Sequence, residues 1–318
     1  MLVSAILLSY KEQTKPDTWA QPLINSGYQV ILVTPDVEEH HSLQKELQVV
    51  YNDQKFTPHA INKGLKVATG DYILLCGARS FPSETYAKIA IPIMEKNPNI
   101  GCVGGRIIHT ANTRIGKAIA AAMGAPLGMG IFSFRSLKKN GFVDSVSTPI
   151  FRRDTIEKVG LFDENLIRNQ DDDYSYRIRK AGYKIWHETT ITSTYFVRET
   201  YLQLTGQFFQ YGFWKNYVNK KHSSITTVRQ VFPSLLIFII ALLSIWSLPY
   251  LIVFLSIYLS VLLVQSCLIN KFQFVNTILS FVGFIVMHVS YGIGYILGFV
   301  NAFILNKPAP SFVKILTR

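Results

Sequence analysis

Between Phe162 and Tyr183 the chain gathers its acidic and basic side chains: Phe162-Asp163-Glu164-Asn165 is followed by Arg168-Asn169-Gln170-Asp171-Asp172-Asp173, then by Arg177 and Arg179. Gly182 stands where a C-cap glycine belongs, so the spacing predicts a helix over Asp171–Ala181 with the three aspartates in its first turn. A carboxylate at a helix start that faces a crevice is placed to take a proton from a hydroxyl group. The same carboxylates also offset the helix dipole, a purely structural service. Helix phase alone leaves Asp172 as a rival of Asp171.

The elements that must carry this helix are those of an α/β fold. Short apolar runs at Val3–Leu8, Gln29–Val33, Gln48–Val50, Tyr72–Cys76 and Ile100–Val103 read as buried strands, separated by amphipathic stretches such as Thr85–Glu95. That alternation predicts βαβ units and a mostly parallel sheet. Ligands on such sheets sit at the carboxyl ends of the strands, which draws Ser9–Glu12, Thr34–Asp36 and Gly77–Ser80 around one crevice. A helix over Arg152–Val159, stopped by Gly160, precedes the acidic one, and Lys184–His187 resumes as a strand. Thr110 to Gly141, with Gly116, Gly124, Gly128 and Gly130, has the composition of a mobile loop.

Beyond Arg229 the chain changes character. Val231 to Ile269 carries no Asp, Glu, Lys or Arg, and its length suits a hairpin of two spans broken near Ser247-Leu248-Pro249. Phe274 to Leu305 suits a third, tilted span. Just before them, Glu199 to Lys221 mixes aromatic residues with Lys215, Lys220 and Lys221, the composition of a helix lying at a bilayer surface. Lysines ahead of the first span place the N-terminal domain in the cytoplasm. Lys307, Lys314 and Arg318 then fall outside if the last segment crosses once, and inside if it returns. His288 reads as a helix-packing residue, and Gly292, Gly294 and Gly298 as points of close helix contact.

The 318 residues carry a formal net charge of +12 and are 49% hydrophobic. Because the basic residues crowd ahead of the apolar region and no nucleic-acid motif accompanies them, an anionic membrane or a phosphate-bearing substrate explains the charge better than nucleic acid. Cys76, Cys102 and Cys267 have neither metal-ligand nor disulfide spacing and read as reduced thiols. The apolar Met1–Leu8 stretch has no basic leader and reads as a strand rather than a signal peptide.

Val143-Asp144-Ser145-Val146 through Trp186 closely resembles the family 2 glycosyltransferases of the succinoglycan and exopolysaccharide type, including the segment Gly160-Leu161-Phe162-Asp163-Glu164 and the run Arg168-Asn169-Gln170-Asp171 to Gly182. Gln207 to Lys215 resembles the family's Gln-x-Phe-x-Tyr-Gly-x-Trp segment, and His288 with Tyr291-Gly292 a signature of its last membrane helix. The resemblance implies a GT-A (Rossmann-like) nucleotide-sugar domain, an inverting displacement on a nucleotide-sugar donor, and Asp171 as general base. Asp173 is then the companion acid, with Asp172 beside it, and Arg177 and Arg179 support the site or meet phosphate. Ser9, Glu12, Asp36, Asn62, Lys63, Arg79 and Asp144 fall on the donor side. Gln207, Tyr211, Trp214 and Lys215 fall at the acceptor or interface side.

Two departures bear on the donor. Where members carry an acidic nucleoside segment, this chain reads Val33-Thr34-Pro35-Asp36. Where they hold Mg²⁺ or Mn²⁺ with Asp-x-Asp or Asp-Ala-His, it reads Gly77-Ala78-Arg79. Gly77 offers no carboxylate, so Arg79, helped by Lys63 or Arg135, is expected to stabilise the leaving diphosphate in place of a metal. The expected organisation is a GT-A domain over residues 1–198, an amphipathic interfacial segment over 199–230, about three transmembrane helices over 231–305 and a basic tail over 306–318. The expected activity is transfer of a sugar to a lipid-linked saccharide acceptor at a cell membrane during surface-polysaccharide assembly. A degenerate member acting as a binding or partner subunit is the alternative.

Overall fold

The computed structural model describes residues 1–10, 16–35, 47–130, 137 and 139–316. It forms two compact units, one of residues 1–108 with 137–195, the other of 109–136 with 196–318.

In the first unit, β1 (Val3–Leu8), α1 (Pro16–Asn25), β2 (Gln29–Thr34), β3 (Gln48–Tyr51), α2 (Thr57–Val67) and β4 (Tyr72–Cys76) alternate as the sequence predicts. The Val, Ile and Leu of β1, β2 and β4 are buried on both faces, the pattern a covered parallel sheet demands. Next come β5 (Ser80–Pro82), α3 (Tyr86–Lys96), β6 (Ile100–Thr110) and, after the excursion into the second unit, β7 (Gly141–Phe142), β8 (Ile150–Arg152), α6 (Arg153–Val159), α7 (Gln170–Lys180) and β9 (Lys184–Phe196). The excursion supplies α4 (Arg114–Gly124) and α5 (Pro126–Met129).

The described strands run in the order β3-β2-β1-β4-β8-β6-β9-β5, with β7 beside β9. β1 through β4 are mutually parallel where they pair, and β8 enters antiparallel between β4 and β6. One apolar layer joins the sheet to α1 and α3, the other to α2, α6 and α7. β6 and β9 are longer than the sequence suggested, because polar residues interrupt the apolar signal in both while their backbones continue the ladder.

The second unit is helical. The segment read as a mobile loop contains α4 and α5, and two of its glycines, Gly116 and Gly128, serve contact. A Cβ on Gly116 would lie 2.3 Å from Glu199 Oε2, and one on Gly128 2.0 Å from the Ala122 carbonyl. The Thr113 hydroxyl caps α4 by accepting from Gly116 N at 3.0 Å, and Glu199 receives the amides of Asn112 and Thr113 at 3.0 Å each. Residues 131–136 and 138 of that stretch lie outside the described residues.

After Phe196 follow α8 (Tyr201–His222), α9 (Phe232–Trp246), α10 (Leu248–Ile269), α11 (Phe274–Phe299, continued by a π turn over Val300–Ile304) and α12 (Ser311–Ile315). Among the described residues two helices are long and apolar enough to cross a membrane, α10 and the α11 continuum; α9, at 15 residues, is shorter. α8 packs along α11 in the same direction. Carbonyls of Phe209 and Phe213 sit where Cβ atoms on Gly294 and Gly298 would stand, and Gly212 meets the Tyr291 carbonyl in the same way. α8, expected to lie at a bilayer interface, is packed inside the unit over much of its surface: Gln207, Gln210, Lys215, Asn216 and Asn219 are buried. His288 packs as expected, its ring nitrogens bonded to the Tyr258 hydroxyl (2.9 Å) and the Leu127 carbonyl (2.7 Å).

Candidate active site

The carboxyl ends of β1, β2 and β4 bring together Ser9, Thr34 and Gly77. Ser9 N donates to the Val33 carbonyl at 2.9 Å, which prolongs the ladder and fixes where the chain leaves the sheet. Glu12, Asp36 and Arg135 lie outside the described residues.

The Gly77-Ala78-Arg79 turn joins β4 to β5 and is closed by Ser80 N donating to Gly77 O at 2.9 Å. Beneath it the Ser80 and Thr148 hydroxyls bond each other. The Tyr86 hydroxyl donates to the Thr148 carbonyl at 2.6 Å and accepts from Gly105 N at 2.9 Å. Tyr86, Ser80 and Thr148 are buried, so Arg79, half-buried, rides on a fixed floor. No sequence signal pointed to Tyr86, six residues past Ser80, or to Thr148, which lies 68 residues from it.

The acidic helix α7 ends just before β9, whose first residue bonds through Lys184 N to Asn99 O at the foot of β6. Its first turn therefore lies towards the other, carboxyl end of the sheet, where Ser9 and Gly77 are. Asn169 enters α7 in the left-handed conformation, φ 57°. Asp171 is exposed, Asp172 half-buried and Asp173 buried. Of the three, Asp171 is the most exposed.

Asp173 and Arg177 belong to the scaffold. Arg177 Nε donates to Asp173 Oδ2 at 3.1 Å, and its remaining nitrogens donate to the carbonyls of Val159 (3.0 Å) and Leu161 (2.8 Å). The guanidinium is spent on tying α7 to the end of α6 rather than on phosphate. Asn62 is likewise structural. It is buried, its amide nitrogen donates to Phe162 O and Glu164 Oε1 at 2.9 Å each, and its oxygen accepts from Phe162 N at 2.9 Å. Lys63 turns to the Tyr51 carbonyl (3.1 Å) and to Asp53, whose carboxyl this bond holds below the usual carboxylate range. Asp144 stands 3.6 Å from Arg179, next to Val143, which pairs with Ile185 near the start of β9. Arg179 is eight residues beyond Asp171, about 12 Å along the helix, so Asp144 is not grouped with the strand ends.

In the second unit Gln207 (5% exposed), Trp214 (2%) and Lys215 (3%) point inward, and Gln207 donates to the half-buried Tyr211 hydroxyl at 2.8 Å. These side chains belong to the unit's interior. A divalent cation finds no fit at the turn after β4, which offers one cation and no carboxylate, and no three potential ligands converge among the described residues.

No family model matches the chain. In sequence it is 26% identical over 194 residues to the dolichyl N-acetyl-alpha-D-glucosaminyl phosphate 3-beta-D-2,3-diacetamido-2,3-dideoxy-beta-D-glucuronosyltransferase of Methanococcus voltae, covering 59% of this chain and 60% of that protein. It is 26% identical over 185 residues to the succinoglycan biosynthesis protein ExoA of Rhizobium meliloti (strain 1021), covering 57% and 56%. The matches thus span less than two thirds of either relative. In fold it is similar to the mannosyltransferase PcManGT from Pyrobaculum calidifontis in complex with GDP-Man and Mn²⁺, with a TM-score of 0.57 and 14% identity over 91% of this chain and 86% of that one. In sequence this chain resembles family 2 glycosyltransferases of the succinoglycan type, and its fold is that of the GT-A glycosyltransferases.

Proposed function

We propose that the protein is a membrane-associated, inverting glycosyltransferase that moves a sugar from a nucleotide-sugar to a lipid-linked saccharide acceptor in surface-polysaccharide assembly. The observation that carries this reading is the exposed Asp171 in the first turn of α7, at the carboxyl end of the sheet, with its neighbour Asp173 withdrawn into the scaffold. Asp171 removes the proton from the acceptor hydroxyl as that oxygen attacks the anomeric carbon. The bond from that carbon to the diphosphate oxygen breaks on the opposite face, and the configuration inverts. A positioned base of this kind contributes about 10²- to 10⁴-fold.

Arg79 supplies positive charge to the departing diphosphate, in the place where relatives hold a metal, and does so without reorganisation because its turn is anchored from below. The relative from Methanococcus voltae is named for a dolichyl-linked acceptor, which accords with the apolar helices of the second unit as a membrane anchor, with the donor taken from the cytoplasm.

The test is transfer of label from a panel of nucleotide-sugars into membrane lipid, by the wild type and by Asp171→Asn. Incorporation by the wild type alone supports the reading; equal incorporation by both removes Asp171 as base. The turn without a carboxylate favours one other reading, a non-catalytic relative that binds a sugar nucleotide. Donor binding with no transfer from any donor would establish that reading instead.

A further inference from the structure

The C-terminal tail turns back along α8. Past the π turn at Val300–Ile304 the chain is irregular from Leu305 to Pro310, with Asn306, Lys307 and Pro308 exposed. The Tyr217 hydroxyl donates to Lys307 O at 2.9 Å, Asn301 holds the Lys307 and Pro308 carbonyls at 3.2 Å, and Lys220 donates to Ala302 O at 2.6 Å. Farther on, Gln210 donates to the Val313 carbonyl, and Val313 is fully buried. Gln210 lies between Phe209, which meets Gly294, and Gly212, which meets Tyr291. The tail has therefore come back to the level of Tyr291–Gly294, about 15 Å short of the end of α11 at 1.5 Å per residue.

The Phe274–Ile304 continuum, 31 residues or about 46 Å, exceeds the hydrocarbon core of about 30 Å, so the tail alone does not decide its placement. The course of α8 does: it runs beside α11 from Leu279, whose carbonyl accepts from Tyr201, to Ala302, whose carbonyl accepts from Lys220. A crossing α11 would carry α8 across with it, and α8 holds Gln207, Gln210, Lys215, Asn216 and Asn219, polar and charged side chains that are costly at that depth. α11 instead has the arrangement of an in-plane helix. Its polar and small residues Thr277, Ser280, Ser290, Gly294 and Gly298 are buried in the unit, while Phe274, Ile278, Ile293, Leu297 and Ile304 are exposed. α9 and α10 differ: only Ser234, Leu262 and Ser266 of their residues are buried, and apart from half-buried residues such as Ile237, Leu251, Phe254 and Tyr258 most of their apolar side chains are exposed.

We propose that α11 does not cross the bilayer. It lies in the headgroup plane with α8 and the tail on its water side, its ends at Lys271 and Lys307 face the same compartment, and the α9–α10 hairpin alone enters the acyl chains. This rests on the reading of the protein as membrane-associated, and the two can fail separately.

The test places single cysteines by Lys271→Cys and Ser311→Cys in the full chain carrying Cys267→Ser, and labels sealed vesicles of both orientations with a membrane-impermeant maleimide. Lys307→Cys is a second tail position in case the first perturbs folding. Labelling of both ends from the same side is the expected result. Labelling of Lys271→Cys and the tail cysteines from opposite sides overturns the in-plane helix while leaving membrane association intact. Recovery of the wild type in the soluble fraction, free of lipid, overturns membrane association and the in-plane helix with it.

Discussion

The Asp173 carboxylate, fully buried, is held by Arg177 one helical turn later, whereas Asp171 in the same first turn is open to solvent. Two acids in one helical turn thus have separable surroundings. Asp171→Asn should leave thermal stability within about 0.5 kcal/mol of wild type, as exposed substitutions do, and lower kcat about 10²- to 10⁴-fold. Asp173→Ala strands the Arg177 charge and should cost about 3–5 kcal/mol. Thermal melts beside transfer assays separate the two; equal destabilisation by both variants would contradict these roles.

Arg79 is proposed to take the place of a metal at the turn after β4. Arg79→Ala should lower kcat by about 10²- to 10³-fold, the scale of losing one preorganised electrostatic donor, and Arg79→Lys should recover part of it. Chelation should leave the wild-type rate unchanged. Abolition by a chelator with restoration by Mn²⁺ would place a cation there after all.

Asn62 looks like a donor ligand in the sequence and behaves as a peg in the structure. Asn62→Ala removes three hydrogen bonds to Phe162 and Glu164, and at about 1–3 kcal/mol for each buried group left unpaired the midpoint of unfolding should fall clearly. KM for the donor should stay unchanged in the fraction that folds. A raised KM with unchanged stability would return Asn62 to the donor site.

The α8–α11 contact leaves no room for a methyl group. Gly294→Ala would put a Cβ 2.2 Å from the Phe209 carbonyl, which forces the helices apart at about 1–3 kcal/mol. Gly27→Ala, where nothing lies within 4 Å but φ is +76°, controls for backbone strain. Melting of the detergent-solubilised protein reads both.

His187 is fully buried in β9, and burial lowers its proton affinity, with the neighbouring Glu188 opposing in part. In the unfolded chain an imidazole titrates near 6.5, so below that pH the unfolded state binds more protons than the folded one. Stability is therefore present above about pH 6.5 and lost as pH falls. The melting temperature should drop between pH 7.5 and 5.5, and His187→Gln should flatten that slope.

The parallel half of the sheet was legible because strands buried on both faces write themselves as unbroken Val, Ile and Leu runs, and α7 because Gly182 and the acidic first turn mark both its ends. The partners of Asn62 and Lys63 were not legible, since a motif records that a side chain is needed but not that Asn62 bonds Phe162 and Glu164 or that Lys63 bonds Tyr51 and Asp53. Glycines at 116 and 128 read as flexibility when they are contact points, because composition cannot tell a Cβ left out for freedom from one left out for space. α8 concealed its burial by turning lysine, glutamine and asparagine side chains inward, against the hydropathy signal.

The floor beneath Arg79 bears on how this site can change. Ser80, Thr148, Tyr86 and Gly105 lock the turn from inside the sheet, so its height above the strands is set before any donor arrives. On the proposal that Arg79 meets the donor diphosphate, Thr148, 68 residues away in the chain from Ser80, is a position where a substitution that never touches substrate alters the height of that charge.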